Sequence, residues 1–155
     1  MEAEKAVVQA CPQAAVIRIS LVLGYPIESG NSFFANLQSK LKEGKEIPSP
    51  TYEIRTPIDV YTLCECVLEL CENEYSGVLH IGATDSINRY DLTRELTQRM
   101  GYDAKVIKPQ TAPEVKAGRA PRHHNGIISV VKAQGSLKTK LLSTAESIQR
   151  AFKQR

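Results

Sequence analysis

The sequence contains no tryptophan and only four cysteines among its 155 residues, and no two cysteines are spaced as Cys-x-x-Cys. Three of the four lie in one apolar helical pattern, so we interpret the cysteines as buried, reduced thiols and not as a disulfide framework. No apolar run is long enough to cross a membrane, and the N-terminus lacks the basic and apolar regions of a signal peptide. These absences predict a cytoplasmic protein with no membrane partner.

Glycine-rich phosphate loops and clusters of metal ligands are also missing. No Gly-x-Gly-x-x-Gly, Gly-x-x-Gly-x-x-Gly or Walker motif occurs, so a complete dinucleotide site is not predicted within this chain. His123 and His124 stand side by side, but no Cys, Asp or Glu occurs in the ten residues after them. A tetrahedral metal site needs several converging ligands, so we predict no metal site. No catalytic thiol or Ser-His-Asp triad has local support.

Charge is divided unevenly along the chain, whose formal net charge is +3. Residues 1–104 hold 9 Lys and Arg against 15 Asp and Glu, while residues 105–155 hold 11 against 2. This asymmetry favours an anionic partner near the C-terminal third, either a phosphate-bearing small molecule or nucleic acid; the alternative is a solvated basic helix. Aromatic residues are not interleaved with the basic ones and no nucleic-acid motif occurs, so we expect no nucleic-acid partner.

Apolar periodicity alternates between the spacing of strands and that of helices. We predict a near-continuous apolar strand over residues 12–24, buried on both faces, and a short strand over residues 77–83 that contains His80. Helices are predicted over residues 2–11, 31–44, 62–73 and 86–101, and from residue 143 onward. Strands that alternate with helices predict an α/β fold with parallel pairing.

Local signals predict where some of these helices begin. We expect Thr62 to cap the third helix, and Ser143 with Glu146 to form the capping box of the last one. The inward stripe of the third helix is expected to hold Leu63, Val67, Leu70 and Cys71. Residues 45–53 contain two prolines and are interpreted as an irregular excursion, followed later by a short extended piece around residues 105–107.

Five stretches of the chain, taken together and in order, resemble the C-terminal half of extended short-chain dehydrogenases/reductases. The stretches are AAVIRISLVLG, NSFFANLQSKLKEGKEI, RTPIDVYTL, GVLHIGATDSINRYDLTRELTQRMG and APRHHNGIISVVK. Within that superfamily they are similar to dTDP-4-dehydrorhamnose reductase and related sugar-nucleotide reductases. The resemblance covers residues 2–153 and implies the C-terminal part of an extended Rossmann-type fold with a small substrate-binding lobe. It implies a single lobe over residues 1–155, with the last Rossmann helix and strand in residues 1–24 and the substrate-binding region in residues 25–155.

Members of this family carry a dinucleotide-binding half with a glycine fingerprint, followed by a Tyr-x-x-x-Lys pair, ahead of the region that this chain resembles. We therefore expect the chain to lack that half, to hold no catalytic residue, and to bind NADP or NAD only together with it. The resemblance implies a nucleotide-sugar substrate, a Rossmann half or separate partner chain, and the option of a homodimer. Joined to such a half, the reaction would be hydride transfer from NADPH or NADH to a 4-keto nucleotide sugar. The alternative is a non-catalytic regulatory or partner-binding subunit, a role that some family members have.

The resemblance also implies roles for individual residues. Arg55 and Arg122 take the places of two arginines that lie near the substrate diphosphate in relatives, where guanidinium groups meet phosphate oxygens bidentately. The substrate-binding residues implied are Arg55, Arg122, Asn31 and Leu21, and those near the cofactor are Ser20 and Val22. For Arg55 the alternative is a surface residue at a strand end.

Departures from the family pattern concern the substrate more than the fold. Leu21 stands where the rhamnose reductases have a tryptophan beside the sugar ring, and His123 stands where relatives have proline. Ser129 replaces the family's aspartate and is expected to cap the short helix that follows it. The fold is therefore better supported by the resemblance than the identity of the sugar.

Overall fold

The computed structural model describes residues 2–26, 30, 32–112 and 123–153. Its helices are α1 (Glu2–Ala10), α2 (Phe33–Lys42), α3 (Val60–Glu72), α4 (Arg89–Arg99), α5 (Val131–Ser136) and α6 (Thr144–Lys153). Its strands are β1 (Ala15–Ile19), β2 (Val22–Leu23), β3 (Ile47–Pro50), β4 (Ile54–Arg55), β5 (Ile58–Asp59), β6 (Gly77–Ile81), β7 (Ile87–Asn88), β8 (Ile107–Gln110) and β9 (Asn125–Gly126). A 3₁₀ turn, Ala104–Val106, precedes β8.

The strands pair mostly in parallel. β1 pairs with β6 in a register that runs from Ala15 opposite Gly77 to Ile19 opposite Ile81. β2 pairs with β5 and β3 with β8, both in parallel. β4 lies between β7, which is antiparallel to it, and β9, which is parallel. The predicted α/β class with parallel pairing is confirmed.

Two hydrophobic cores lie within the described residues. The first joins β2 and the β3–β8 pair to α2, α4 and α6 through Leu23, Phe34, Leu37, Leu41, Ile47, Leu92, Leu96, Ile107, Ile148 and Ala151. The second packs the β1–β6 pair against α3 and α5 through Ile58, Cys66, Leu70, Leu79, Ile81, Val130, Ala133, Leu137 and Leu141. Residues of the two cores alternate along the sequence, so the cores do not test whether residues 1–24 form a separate part. The division of the chain after residue 24 stays a prediction.

An extended segment, residues 53–59, connects the two cores. At its start, the carbonyl of Glu53 accepts a hydrogen bond from the amide of Arg89, at 2.8 Å. In its middle, the carbonyl of Thr56 accepts from the amide of Ala83, at 3.1 Å. Near its end, the amide of Ile58 donates to the carbonyl of Leu21, at 2.9 Å. The segment therefore places the carboxyl end of β6 and that of β1 at defined positions relative to α4.

Several sequence predictions are confirmed. Helices α2 and α4 bury the periodic residues Phe34, Leu37, Leu41, Leu92 and Leu96, as expected. The capping box before α6 is formed, since the amide of Ser143 donates to Glu146 Oε2 at 2.8 Å. His80 is a strand residue, in β6. Strong local periodicity and a local cap were therefore sufficient to define these elements.

The start and the inward face of α3 differ from the prediction. Asp59, not Thr62, is the N-cap: its Oδ1 accepts from the Thr62 amide at 2.8 Å and its Oδ2 from the Thr62 hydroxyl at 2.7 Å. The buried residues of α3 are Thr62, Cys66 and Leu70, whereas Val67 and Cys71 are exposed. Capping by the fully buried Asp59 fixes the rotation of the helix, so the apolar stripe read from the sequence was only partly correct.

Two other predictions were wrong in their extent. The strand expected over residues 12–24 is divided into β1 and β2, and none of the residues of β1 is buried. Residues 47–50, expected to be irregular, form β3, which pairs only with β8 in the described part of the chain. An edge strand tolerates Pro48 and Pro50, because a proline that faces away from the partner strand removes no ladder hydrogen bond.

The prediction of buried thiols holds for one cysteine only. Cys66 is buried, while Cys11, Cys64 and Cys71 are exposed and all four are free. Burial, together with the nearby carboxylates Glu69 and Glu65, raises the pKa of the Cys66 thiol to about 11. Cys64 and Cys71 lie on the exposed face of α3, and Cys11 directly follows α1.

This arrangement predicts an unequal reactivity of the cysteines towards iodoacetamide. In the folded chain we expect Cys11, Cys64 and Cys71 to be alkylated while Cys66 is spared, because only a thiolate that solvent can reach reacts. Mass spectrometry of peptides from native and urea-unfolded samples measures this, and all four should react after unfolding. Rapid alkylation of Cys66 in the native chain would contradict the packing of α3.

Gly82 offers a test of the contact between β6 and residues 53–59. A Cβ at this position would lie 2.9 Å from the carbonyl oxygen of Thr56, which is held by Ala83, and 3.2 Å from Ile128 Cδ1. We expect Gly82→Ala to lower the free energy of unfolding by about 1–3 kcal/mol, as overpacking does.

The matched control is Gly135→Ala. Gly135 lies within α5, and nothing in the described structure lies within 4 Å of a Cβ placed there. We expect this change to be neutral or to stabilise by up to about 1 kcal/mol, because alanine is the better helix former. Urea unfolding of both variants checks the pair; equal stabilities would show that Thr56 and Gly82 are not in close contact.

Candidate functional site

A cleft of about 360 Å³ opens where β2 and β5 end. Its walls are Leu21, Val22, Gly24, Tyr25, Pro26, Ser32, Phe33 and Val60. Because β2 and β5 are parallel, their carboxyl ends meet at the same edge, the position at which α/β sheets bind ligands. We call it the β2 cleft.

Aromatic and capping contacts hold the walls of the β2 cleft. Ser32 is the N-cap of α2, and its Oγ accepts from the Ala35 amide at 3.0 Å. The ring of Tyr25 meets that of Phe34 edge-on, with centroids 5.1 Å apart. The guanidinium carbon of Arg89 lies 4.3 Å from the centroid of the Phe33 ring. The cleft therefore has an apolar wall that is stiffened by a cation–π contact.

The site residues implied by the resemblance fall into three groups. Leu21 and Val22 line the β2 cleft, and Ser20 precedes them, with its amide 3.3 Å from the carbonyl of Ile81. Ser20 Oγ is buried and has no hydrogen-bond partner among the described residues. Asn31 and Arg122 lie outside the described residues. The structure thus brings Ser20, Leu21 and Val22 together at one strand end.

Arg55 forms the third group. It lies on β4 and lines neither the β2 cleft nor a second cleft beyond the carboxyl end of β6. Its Nη2 is 3.1 Å from Glu53 Oε2 and 2.9 Å from the carbonyl oxygen of His123. Its Nη1 donates to the carbonyls of Ile54 and His124, at 2.7 and 3.1 Å. In this structure the guanidinium is therefore occupied by groups of the chain itself.

A second cleft, of about 310 Å³, lies beyond the carboxyl end of β6. Its lining residues are Thr56, Ala83, Thr84, Asp85, Ser86, Ile127, Ile128, Ser129, Val130, Val131 and Gln134. This second cleft was not predicted, because its lining residues form no recognisable motif in the sequence. Ser129 does not cap α5 as expected; the N-cap position is taken by Val130, without a side-chain hydrogen bond.

Two basic residues of the C-terminal third, Lys108 and Arg150, form ion pairs with acidic residues from earlier in the chain. Lys108 Nζ lies 3.1 Å from Glu46 Oε1. Arg150 Nη1 donates to Glu65 Oε2 at 2.9 Å, and this bond lowers the pKa of the Glu65 carboxyl. Glu69 accepts from the backbone amide of Lys138. Basic residues of the C-terminal third thus contact acidic residues from earlier in the chain, which weakens the argument for an anionic partner.

Another ion pair attaches α1 to the sheet. Arg18 on β1 donates from Nε and Nη2 to the two carboxylate oxygens of Glu4, at 2.9 and 2.7 Å. Hydrogen bonding to Arg18 lowers the pKa of the Glu4 carboxyl. Arg18 Nη1 is also 3.3 Å from Nε2 of His80 on the neighbouring strand. The helix buries none of its own residues, so this polar contact is its main link to β1.

The described residues contain neither a cluster of metal ligands nor a membrane-spanning helix. No group of three or more His, Cys, Asp or Glu side chains is placed to hold a metal ion. No helix in the described ranges is both long and apolar enough to span a bilayer.

Comparison with known proteins identifies the relatives of this chain. The family model described as the RmlD substrate binding domain matches residues 1–155. The dTDP-4-dehydrorhamnose reductase of Clostridium acetobutylicum superposes with a TM-score of 0.82 at 20% identity, covering 97% of this chain and 51% of that chain. The corresponding reductase of Bacillus anthracis, in complex with NADP, gives 0.81 at 20%, covering 96% and 50%. The structural likeness at these identities shows the fold, and the family match confirms the resemblance found in the sequence.

A sequence relative comes from a different functional context. The methionine adenosyltransferase 2 subunit beta of Danio rerio is 24% identical over 128 residues, which are 76% of this chain and 38% of that protein. The chain therefore spans about half the length of the reductases and less than two fifths of this subunit.

Proposed function

Because this chain belongs to the RmlD substrate binding domain family, we propose that it supplies the substrate-binding wall of a sugar-nucleotide reductase. In this proposal NADP or NAD is bound by a dinucleotide-binding half that docks against β1, and that half also provides the groups that transfer the proton. Bound cofactor would supply the hydride, and this chain would orient the nucleotide sugar. The chain by itself is then expected to turn over no substrate.

The observation that carries the proposal is that side chains cover the outer edge of β6, whereas no described residue pairs with the outer edge of β1. At the outer edge of β6, Lys132 Nζ and the Tyr75 hydroxyl both donate to the carbonyl of Val78, each at 3.1 Å. Lys132 also lies 5.4 Å from the centroid of the Tyr75 ring. A lysine over a strand edge blocks further pairing, which natural sheets use against aggregation. This edge is therefore closed.

The outer edge of β1 has no such cover among the described residues. The Gly77 amide donates to the Ala14 carbonyl and the Ser20 amide donates to the Ile81 carbonyl, so the even-numbered residues of this strand face β6. The backbone groups of Ala15, Ile17 and Ile19 consequently face outward. No strand in the described ranges pairs with them.

Exposed apolar side chains lie on β1 and on α1, the helix that is attached to it. Ile19 is 52% exposed, and Val7 and Val8 on α1 are 46% and 41% exposed. An apolar strand of a parallel sheet is normally covered on both faces, so this surface fits a strand and helix supplied by the dinucleotide-binding half. The reductases that superpose on this chain are about twice its length, which leaves room for such a half.

The β2 cleft supports the substrate part of the proposal. It lies at the carboxyl ends of parallel strands, on the edge that a docked half would share. Leu21, Val22 and Phe33 give it an apolar floor, and Ser20 beside it has an unpartnered hydroxyl oxygen. In our proposal the sugar and its nucleotide lie against these residues, with Asn31 and Arg122 as further candidates for substrate contacts.

The beta subunit from Danio rerio favours a second candidate function. In that case the chain is part of a regulatory subunit, and the open edge of β1 still receives a dinucleotide-binding half, but the β2 cleft takes no sugar nucleotide. The two functions differ in whether the cleft responds to a nucleoside diphosphate.

A tryptophan reporter tests the cleft directly. The chain has no tryptophan, so Leu21→Trp introduces a single fluorophore into the β2 cleft, where the rhamnose reductases carry this residue. We expect addition of dTDP to shift or quench its emission, because the ligand changes the polarity around the indole. Leu68→Trp on α3, at a position that is 63% exposed, is the control and should not respond. A silent Leu21→Trp would contradict the substrate proposal and favour the regulatory one.

A matched pair of isoleucines tests the docking edge. Ile19 on β1 and Ile127 beside the second cleft are 52% and 49% exposed. We expect Ile19→Lys to weaken binding of a separately expressed, NADP-loaded dinucleotide-binding half by at least about tenfold, since burying an unpaired ammonium is costly. Ile127→Lys should leave this binding unchanged.

Sedimentation velocity measures the complex, and NADPH oxidation with dTDP-4-dehydrorhamnose measures turnover. Equal effects of the two lysines on binding would show that the half does not dock at β1. Turnover by the chain alone would contradict the division of labour that we propose.

A further inference from the structure

We propose that Arg55 is a positioning residue, which holds the return segment, residues 123–126, against β4 and is therefore not free to grip a substrate diphosphate. The consequence for the diphosphate rests on the proposed function, whereas the contact between Arg55 and the return segment does not.

Nearly all hydrogen-bond donors of Arg55 are used within the chain. A guanidinium has five N–H groups in a fixed planar arrangement. Two of them, on Nη1, donate to the carbonyls of Ile54 and His124. The two on Nη2 donate to the carbonyl of His123 and to the carboxylate of Glu53. Among the described residues only the Nε–H is left without an acceptor, and a single N–H cannot form the paired bonds that make arginine selective for phosphate.

The burial of the partner carboxylate makes these bonds costly to release. The side chain of Glu53 is 7% exposed and that of Arg55 is 17% exposed. The other cation near Glu53 is Arg89, whose Nη1 lies 4.0 Å from Oε2. If Arg55 turned towards a ligand, Glu53 would lose its nearer cation among the described residues, and a buried charge that loses its partner is strongly destabilising.

The return segment depends on Arg55 because β9 is short. β9 pairs with β4 over two residues only, Ile54 with Asn125 and Arg55 with Gly126. The amide of Ile54 adds one bond to the carbonyl of His124, at 2.8 Å. A ladder of this length has little stability of its own, so two charge-assisted bonds from the guanidinium to His123 and His124 are a large part of what holds it.

Gly126 is shaped to receive the arginine. A Cβ at this position would lie 2.9 Å from Arg55 Cδ, 3.1 Å from Nη1 and 3.2 Å from Nε. Gly126 is not among the glycines with positive φ, so its backbone conformation is one that alanine adopts readily. The position therefore needs glycine because Arg55 lies across it, and not because of the backbone.

Through β9, Arg55 also acts on the second cleft. Residues 127–131 follow β9 directly and line that cleft together with Thr56, the neighbour of Arg55. Successive side chains of an extended chain point to opposite faces. Arg55 thus contacts the return segment, while the residue after it lines the cleft.

Hydrogen exchange of the amides in residues 123–130 tests the proposal. We expect Arg55→Lys to raise their exchange rates by at least about tenfold, because one ammonium cannot reach two carbonyls and Glu53 together. Arg99→Lys is the control: Arg99 forms a single exposed ion pair with Glu95 on α4, and its change should leave these amides unaffected. Exchange within α4 and α6 shows that each variant keeps the global fold.

A double-mutant cycle separates the specific contact from general loosening. Gly126→Ala should speed the same amides when Arg55 is present, because the methyl group displaces the guanidinium. In an Arg55→Ala background the three atoms nearest to the added Cβ are gone, so Gly126→Ala should cause little further change. Additive effects of the two substitutions would overturn the proposal.

Titration with dTDP distinguishes the two roles of Arg55. If Arg55→Lys weakened dTDP binding tenfold or more and left exchange in residues 123–130 unchanged, Arg55 would be a diphosphate ligand and our proposal would be wrong. If wild-type chain bound no dTDP while the exchange results held, the positioning role would stand and the proposed substrate function would fail.

Discussion

The extended segment of residues 53–59 is the constraint on which the rest of the structure depends. Its carbonyls and amides bind α4 through Glu53, the end of β6 through Thr56 and the end of β1 through Ile58. Its last residue, Asp59, caps α3. Ile58 belongs to the second hydrophobic core, and the bond from Arg89 to Glu53 holds the start of α4, whose Leu92 and Leu96 belong to the first. Thr56 lines the second cleft, and Val60, directly after the segment, lines the β2 cleft.

The sequence predicted the elements whose signals are local. α2, α4 and α6 have strong helical periodicity, and Ser143 with Glu146 forms a cap from residues three apart, so no distant contact is needed to define them. The two-residue strands β4, β5 and β9 carry no such signal, because they exist only through partners far along the chain. Asp59 was missed as a cap for the same reason: it ends a strand that periodicity does not reveal.

The candidate site shows the same limit at the level of single residues. Leu21 and Val22, which the resemblance implied as site residues, follow the end of β1 and line the β2 cleft, while their roles stay predictions. The partners of Arg55 were not predictable, because three of them are backbone carbonyls, which every residue has. The charge asymmetry also suggested an external anion, whereas ion pairs such as Arg150 with Glu65 join its two parts within the fold.

The attachment of α1 completes the physical argument for a docking edge. α1 is tied to β1 by Arg18 and Glu4, an ion pair in contact with solvent, and it buries none of its residues. Ion pairs of this kind contribute little to stability, because water screens them and two long side chains lose freedom. Apolar burial is the usual source of helix stability in a protein, yet Val7 and Val8 remain 46% and 41% exposed. In the proposed complex, a dinucleotide-binding half that also covered these two side chains would add the apolar burial that α1 lacks.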